Sequence, residues 1–291
     1  MNYNQIDNNL KELIEAAYSE GNVLLEKKSG IRDCTYIFSS SNGLYFPNTA
    51  SVFTREIVHN DRYEWLNIGK SINNNKSIFL RDVYKQWYSK GVNTSINSIE
   101  KIISFCKKTT ANADELITVG TSSGGYLSVI IGLLLDAKSI YSFSGQFQLE
   151  TTLSLDKENN AILREMSDNK FVHLDKILTN NINTNIYYFV SKGSVFDQDD
   201  LDIARKHSCI KIFLFKGEIH GVPFYSFVLK YLLNKDDREM LSLFHFFENK
   251  TINPVKFAIK VCGLFHFIIE FALLLNKKIL KFFLNRRGVN L

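Results

Sequence analysis

The feature that most constrains this chain is a glycine-rich turn between a strand pattern and a helix pattern. Residues 116–119 (LITV) predict a short buried strand, and residues 124–135 are apolar nearly all round, as in a helix packed against a sheet. Between them lies a GxSxG pattern formed by Gly120, Thr121, Ser122, Ser123 and Gly124. Small flanking residues let a strand and a helix pack closely around a strained central residue. The pattern therefore predicts a sharp strand-to-helix turn with Ser122 at its apex.

The rest of the chain alternates between strand and helix patterns. Short runs rich in β-branched and aromatic residues predict strands at 23–25, 34–38, 77–80, 139–143, 186–190 and 210–215. Helical spacing predicts helices at 1–20, 96–106 and 199–207, with further helices beginning near Pro223 and Asp236. Strands that alternate with helices form parallel sheets. The expected fold class is α/β, with a mostly parallel sheet flanked by helices.

A chain of 291 residues buries one large core and has little room for two full domains. We expect an N-terminal helix and leading strand over 1–30, a catalytic domain over 31–233 and a basic, apolar helical extension over 234–291. Residues 148–185 are more polar and less regular, with one helical piece near 161–166. They predict an insertion over the edge of the sheet, which has the position of a lid.

Charge and cysteine usage exclude some classes of protein. The net charge is +5, but eight Lys and Arg against one Glu follow from Lys250 onward, which is about +7 for the tail and leaves about −2 for the body. A body without a basic face does not favour nucleic-acid binding.

The cysteines are far apart in the sequence and lack metal-binding spacing, so we expect them to be free thiols: Cys34, Cys106, Cys209 and Cys262. Since the N-terminus is polar and lacks the apolar run of a secretory signal, we expect a cytoplasmic protein.

A serine at such a turn becomes a nucleophile only when a base removes its proton. His220 is the expected base because it follows the strand pattern 210–215, at the carboxyl end of a parallel strand, where catalytic groups gather. The other histidines lie in predicted loops, helices or the tail: His59, His173, His207, His245 and His266. Two alternatives stay open: the GxSxG turn binds a phosphate group, or His220 has only a structural role in its loop.

The third member of a catalytic triad is an acid that orients the imidazole. It is expected in the loop after residues 186–190, where Asp197 precedes the predicted helix. Asp200 is the alternative, although its position suits a carboxylate in the first turn of the helix. Asp202 is expected to be a solvated helix residue. The oxyanion of the reaction would accept a hydrogen bond from the Ser123 N–H and a second from the loop 39–43, near Ser40. This chemistry requires no metal and no organic cofactor.

The segment 117–147 (ITVGTSSGGYLSVIIGLLLDAKSIYSFSGQF), the later loop acid and the strand followed by His-Gly resemble the α/β-hydrolases encoded among bacterial capsule and O-antigen genes. The resemblance covers about residues 31–233. It implies an α/β-hydrolase fold and O-acyl ester chemistry on a glycan or glycan precursor of surface-polysaccharide biosynthesis. The HGGG form of the oxyanion loop is absent. An acyltransferase using a sugar hydroxyl in place of water, and a catalytically silent scaffold of polysaccharide assembly, are the alternatives.

Aromatic side chains stack on sugar rings, and several lie at predicted strand or loop ends on the side of the serine turn. Trp87 and Tyr88, together with Gln146 and the adjacent Phe147, are expected either to line a glycan site or to pack within the fold.

The tail has an apolar run at 261–275 that is shorter than the roughly 20 residues needed to span a bilayer. It is interrupted by His266 and Glu270. Basic residues flank it: Lys256, Lys260, Lys277, Lys278, Lys281, Arg286 and Arg287. Two expectations follow for residues 252–291. The segment lies as a helix on an anionic membrane surface, which makes the protein peripheral on the inner membrane, or it packs on the domain or on a second subunit of a homo-oligomer.

Overall fold

The computed structural model describes residues 8–19, 21–29, 33–150, 171–179 and 184–286. Its centre is a seven-stranded sheet in the order β1-β3-β2-β4-β5-β6-β7. The strands are β1 (Val23–Lys27), β2 (Cys34–Ser39), β3 (Lys76–Leu80), β4 (Glu115–Thr121), β5 (Ser139–Phe143), β6 (Asn185–Ser191) and β7 (Ile210–Phe215). Strand β1 is antiparallel to β3, and every other neighbouring pair is parallel. The expected α/β class with a mostly parallel sheet is confirmed.

Helices cover both faces of the sheet. In chain order they are α1 (Asn8–Ser19), α2 (Ala50–Phe53), which continues as a π-helical turn (Thr54–His59), α3 (Leu66–Ser71), α4 (Ile99–Thr110), α5 (Ser123–Leu134), α6 (Asp175–Thr179), α7 (Gln198–Ala204), α8 (Val228–Leu232), α9 (Asp237–Phe247), α10 (Pro254–Cys262) and α11 (Leu264–Arg286). Helix α8 begins at Val228 rather than near Pro223, because an irregular segment comes first. The helical piece expected near 161–166, and most of the insertion 148–185, lie outside the described residues.

The two faces of the sheet have different compositions because side chains alternate along each strand. On β2, Ile37 points into an aliphatic layer that also contains residues of α4 and α5. Tyr36 and Phe38 point into an aromatic layer on the opposite face. In that layer Phe189 lies with its ring centroid 4.7 Å from that of Phe213 and 4.8 Å from that of Phe143. Each face therefore contributes its own core.

The expected C-terminal extension begins inside this core. Phe257 of α10 is fully buried, with its ring centroid 4.9 Å from those of Phe215 and Phe224. Helix α9 also packs on β7. Gly263, at φ +79°, ends α10 and starts the separate helix α11. Residues up to Cys262 thus complete the aromatic layer. Within the described parts of the chain, no helix has the length and apolar character needed to cross a membrane.

Candidate active site

The GxSxG segment forms the sharp turn that the sequence predicts, between β4 and α5. Ser122 has φ 53° and ψ −122°, a conformation that non-glycine residues rarely adopt. A Cβ added to Gly120 would lie 2.1 Å from the carbonyl oxygen of Gly124, and one added to Gly124 would lie 2.2 Å from that of Ser39. Glycine is required at both positions because the strand, the helix and the end of β2 approach one another there.

Three side chains predicted from the sequence meet at the carboxyl ends of the parallel strands. His220 Nε2 lies 2.8 Å from Ser122 Oγ, and His220 Nδ1 lies 2.8 Å from Asp197 Oδ1. Asp197 is fully buried, whereas 29% of the His220 side chain is exposed. With Nδ1–H donating to the carboxylate, Nε2 is free to accept the serine hydroxyl proton. The arrangement has the geometry of a nucleophile, a base and an orienting acid.

Asp200, the alternative acid, has other partners. Its Oδ1 accepts hydrogen bonds from the backbone N–H of Phe147 at 2.6 Å and of Gln148 at 3.3 Å. Burial raises the pKa of Asp200 to about 7. Asp200 therefore ties the segment after β5 to helix α7. Asp202 is an exposed helix residue, as expected, and its Oδ1 lies 2.8 Å from Arg205 Nη1.

The expectation that Ser40 supplies the second oxyanion donor is wrong. Its N–H donates to the carbonyl oxygen of Leu80 at 3.0 Å, and the residue is buried. The N–H of Ser41 donates to Glu64 Oε2 at 2.5 Å. The next residue, Asn42, lines the same pocket as Ser122. Its Oδ1 accepts a hydrogen bond of 2.9 Å from the hydroxyl of Ser123. The loop after β2 thus brings the side chain of Asn42 to the N-terminus of α5.

A pocket of about 560 Å³ opens beside Ser122 and His220. Its apolar lining residues are Trp65, Ile68, Val222 and Leu229. Glu64 also lines the pocket, and its carboxylate accepts a second hydrogen bond, of 2.9 Å, from the hydroxyl of Ser41. Burial raises the pKa of Glu64. Glu64 and Trp65 could not be predicted as pocket residues, because residues 63–66 (YEWL) carry no periodic pattern or motif.

Of the four residues considered for a glycan site, three are buried and Trp87 is half-buried. Tyr88 is fully buried, and its hydroxyl donates to the carbonyl oxygen of Ser40 at 2.8 Å. Trp87 Nε1 donates to Gln146 Oε1 at 3.0 Å, and neither residue lines the pocket beside Ser122. Phe147, next to Gln146, is also buried. Stacking of Tyr88 on a sugar is therefore excluded by burial. These side chains support the loops behind the pocket.

Three features together define an α/β-hydrolase fold. They are the order of the strands, the antiparallel β1 at one edge of the sheet, and a sharp turn at Ser122, called the nucleophile elbow, which is followed along the chain by an acid and a histidine. The sequence matches no protein-family model and no curated protein. Among solved structures, the capsule O-acetyltransferase of Neisseria meningitidis serogroup A is 16% identical over 69% of this chain and 85% of its own, with a TM-score of 0.48.

Two further solved structures align over a similar extent. Brefeldin A esterase, a bacterial homologue of human hormone-sensitive lipase, is 9% identical over 84% of this chain and 85% of its own, with a TM-score of 0.45. A fluorophosphonate-binding serine hydrolase of Staphylococcus aureus is 11% identical over 67% of this chain and 84% of its own, also with a TM-score of 0.45. At such identities and TM-scores, the alignments carry no information about substrate.

Proposed function

We propose that this chain is a serine hydrolase that cleaves O-acyl esters, with Ser122 as nucleophile, His220 as general base and Asp197 as the acid that orients it. The observation that supports the proposal is the continuous hydrogen-bonded chain of two 2.8 Å contacts that ends on the serine of a strained elbow. A turn that only cradles a phosphate needs neither a histidine nor a buried carboxylate in this alignment.

The proposed reaction has two halves. His220 Nε2 takes the hydroxyl proton as Ser122 Oγ attacks the ester carbonyl carbon, which gives a tetrahedral oxyanion. Collapse of this intermediate breaks the bond to the alkoxide, which leaves with the proton from His220. Water then loses a proton to His220 and attacks the acyl-enzyme, and the carboxylic acid leaves as Ser122 regains its proton. Asp197 holds the imidazole in the tautomer that both halves need.

The proposed oxyanion donors are the backbone N–H groups of Ser123 and Asn42. Ser123 begins α5, where the first amides of a helix have no intrahelical acceptor and the helix dipole favours negative charge. Asn42 is the next candidate in the loop because the N–H groups of Ser40 and Ser41 already have acceptors. The hydrogen bond from Ser123 to Asn42 holds the two donors beside each other.

The proposed substrate is an acyl ester on a sugar hydroxyl, within bacterial surface-polysaccharide biosynthesis. The apolar lining residues of the pocket suit an acyl group, and its polar lining residues, among them Glu64 and Ser226, suit a hydroxylated leaving group. The glycan part of the proposal rests on the resemblance of residues 117–147 to hydrolases of capsule and O-antigen gene clusters.

A fluorophosphonate probe tests the nucleophile. We expect it to label the intact protein on Ser122, located by mass spectrometry of the labelled peptide, and not the Ser122→Ala variant. Hydrolysis of p-nitrophenyl acetate should fall by about 10⁴-fold or more in Ser122→Ala and His220→Ala. His245→Ala is the matched control and should keep full activity, because His245 is exposed and pairs with Glu248. An unlabelled protein would be a silent scaffold, and undiminished hydrolysis by Ser122→Ala would eliminate the mechanism.

Product analysis tests the substrate and the fate of the acyl group. The protein is incubated with an O-acetylated oligosaccharide carrying a labelled acetyl group, with and without an unacetylated acceptor. Release of labelled acetate supports hydrolysis, whereas label recovered on the acceptor identifies acyl transfer to a sugar hydroxyl. Labelling by the fluorophosphonate without either product would retain the nucleophile and exclude the glycan ester.

A further inference from the structure

Helix α11 is attached to the catalytic domain along one narrow face. Phe267 packs with its ring centroid 6.1 Å from that of Phe227, and Phe271 packs 5.6 Å from that of Tyr225. Between them, Glu270 pairs with Lys230. The three anchoring positions are spaced i, i+3 and i+4, which places them on one side of the helix. The helix is thus held in a defined orientation, with its other sides turned away from the domain.

The remaining sides of α11 expose an unusual amount of apolar surface. We call these residues the outer face; their exposed fractions run from 42% to 72%, and they are Leu264, Phe265, Ile268, Ile269, Leu273, Leu275 and Ile279. Large apolar side chains scattered singly over a surface need no explanation, but a contiguous strip along one helix marks a binding surface. We therefore expect the outer face to bind an apolar partner.

The charge of the chain indicates what that partner is. The last sixteen residues, 276–291, contain five Lys and Arg and no Asp or Glu, and the rest of the sequence contains 30 of each sign. A charge equal to the whole net charge of +5 is thus carried by residues 276–291, which overlap the end of the outer face and extend beyond it. A second copy of this chain offers an apolar surface but carries the same net positive charge, and so no complementary negative charge. An anionic lipid surface instead offers both hydrocarbon and negative charge.

The segment that anchors α11 also forms part of the active-site pocket. Tyr225, Phe227 and Lys230 contact α11, whereas Ser226 and Leu229, on the same stretch of chain, line the pocket beside Ser122. We propose that the outer face of α11 lies on an anionic membrane surface, with the helix parallel to the bilayer and the pocket of Ser122 beside it. The protein then meets its substrate at the membrane.

Sedimentation with lipid vesicles tests the proposal on the full-length protein. We expect it to sediment with vesicles of phosphatidylcholine and phosphatidylglycerol, to bind vesicles of phosphatidylcholine alone far less, and to be released as salt is raised, because screening weakens the attraction to the lipid. Replacement of Phe265, Ile268 and Ile269 by glutamine should weaken binding more than tenfold, because it removes apolar area from the interface. Thermal unfolding and hydrolysis of soluble p-nitrophenyl acetate should stay at wild-type values in this variant.

A matched control replaces exposed apolar residues elsewhere on the surface, namely Phe46, Val58 and Leu134. This triple glutamine variant should bind vesicles like the wild type. The proposal is overturned if the α11 variant binds as well as the wild type. It is also overturned if the intact protein stays in the supernatant with anionic vesicles, including the case in which light scattering shows a dimer that the α11 variant dissociates, since the outer face would then pair two copies.

Discussion

Asp197 and Asp200 lie three residues apart and are both buried, so replacing each by asparagine separates a catalytic role from a structural one. In Asp197→Asn, the amide can present its NH2 group to His220 Nδ1 and thereby favour the tautomer that carries hydrogen on Nε2. That tautomer cannot accept the proton of Ser122. The expected loss in kcat is about 10⁴-fold, which corresponds to about 5.5 kcal/mol of transition-state stabilisation.

Asp200→Asn should leave the reaction nearly unchanged. One oxygen, Oδ1, accepts both backbone hydrogen bonds, from Phe147 and Gln148, and asparagine retains an equivalent oxygen. Since burial raises the pKa of Asp200 to about 7, about half of the wild-type side chains are uncharged at neutral pH and more are uncharged below it, and the amide resembles this uncharged form. We expect kcat/KM for p-nitrophenyl acetate within a factor of about three of wild type.

The same substitution changes how stability depends on pH. Asp200 binds its proton up to pH about 7 when folded, but only up to its ordinary value of 3.8 when unfolded. At Asp200 the folded state holds more protons in this window, so the contribution of Asp200 to the free energy of unfolding falls as pH rises from about 4 to 7. Asp200→Asn lacks this loss. Its stability relative to wild type should increase by up to about 4 kcal/mol across the window, measured by urea unfolding at each pH.

Two results would refute this reasoning. The first is a large loss of activity in Asp200→Asn with near-normal activity in Asp197→Asn, since the acid of the triad would then be Asp200. The second is a stability difference between Asp200→Asn and wild type that does not change with pH. Asp82, whose pKa burial raises to about 6, contributes the same pH dependence to both proteins and cancels in the comparison.

Substitutions at three further positions test the turn at Ser122 and the loop after β2. Gly124→Ala should lower the free energy of unfolding in urea by about 3 kcal/mol or more, because the added Cβ meets the backbone of Ser39. Asn42→Pro removes the proposed donor and should lower kcat for p-nitrophenyl acetate by about 10²- to 10³-fold, whereas Asn42→Ala keeps the N–H and should lose less than tenfold. Glu64→Gln can satisfy only one of the two donors of Ser41 and should lower kcat about tenfold with little change in thermal stability.

The sheet and the meeting of the three side chains of the proposed triad were predictable because their signals are local. The alternation of Tyr36, Ile37 and Phe38 sets both the strand and the faces to which its side chains point. His220 could be singled out because it directly follows a strand pattern, and the carboxyl ends of parallel strands share one edge of the sheet. Position along the chain was therefore enough to place Ser122, Asp197 and His220 together.

The oxyanion loop and the pocket were not predictable because they depend on contacts between residues far apart in the sequence. Ser40 is excluded as a donor only because its N–H pairs with Leu80. Tyr88 is drawn into the core because Asp82 accepts its backbone N–H at 2.9 Å, and its hydroxyl then reaches Ser40. Phe257 lies in the segment expected to be an extension, and it is buried because it packs on Phe215 and Phe224 in the aromatic layer of the sheet. None of these partners has a sequence motif.

The loop after β2 is held from several directions before any substrate binds. Glu64 accepts two hydrogen bonds from Ser41, the hydroxyl of Ser123 donates to Asn42, and Tyr88 donates to the carbonyl oxygen of Ser40. Donors that are fixed in advance stabilise an oxyanion without the cost of reorganisation when charge develops. Loosening any one of these contacts should therefore act on the transition state more than on the bound ester. The expected signature is a fall in kcat with KM nearly constant.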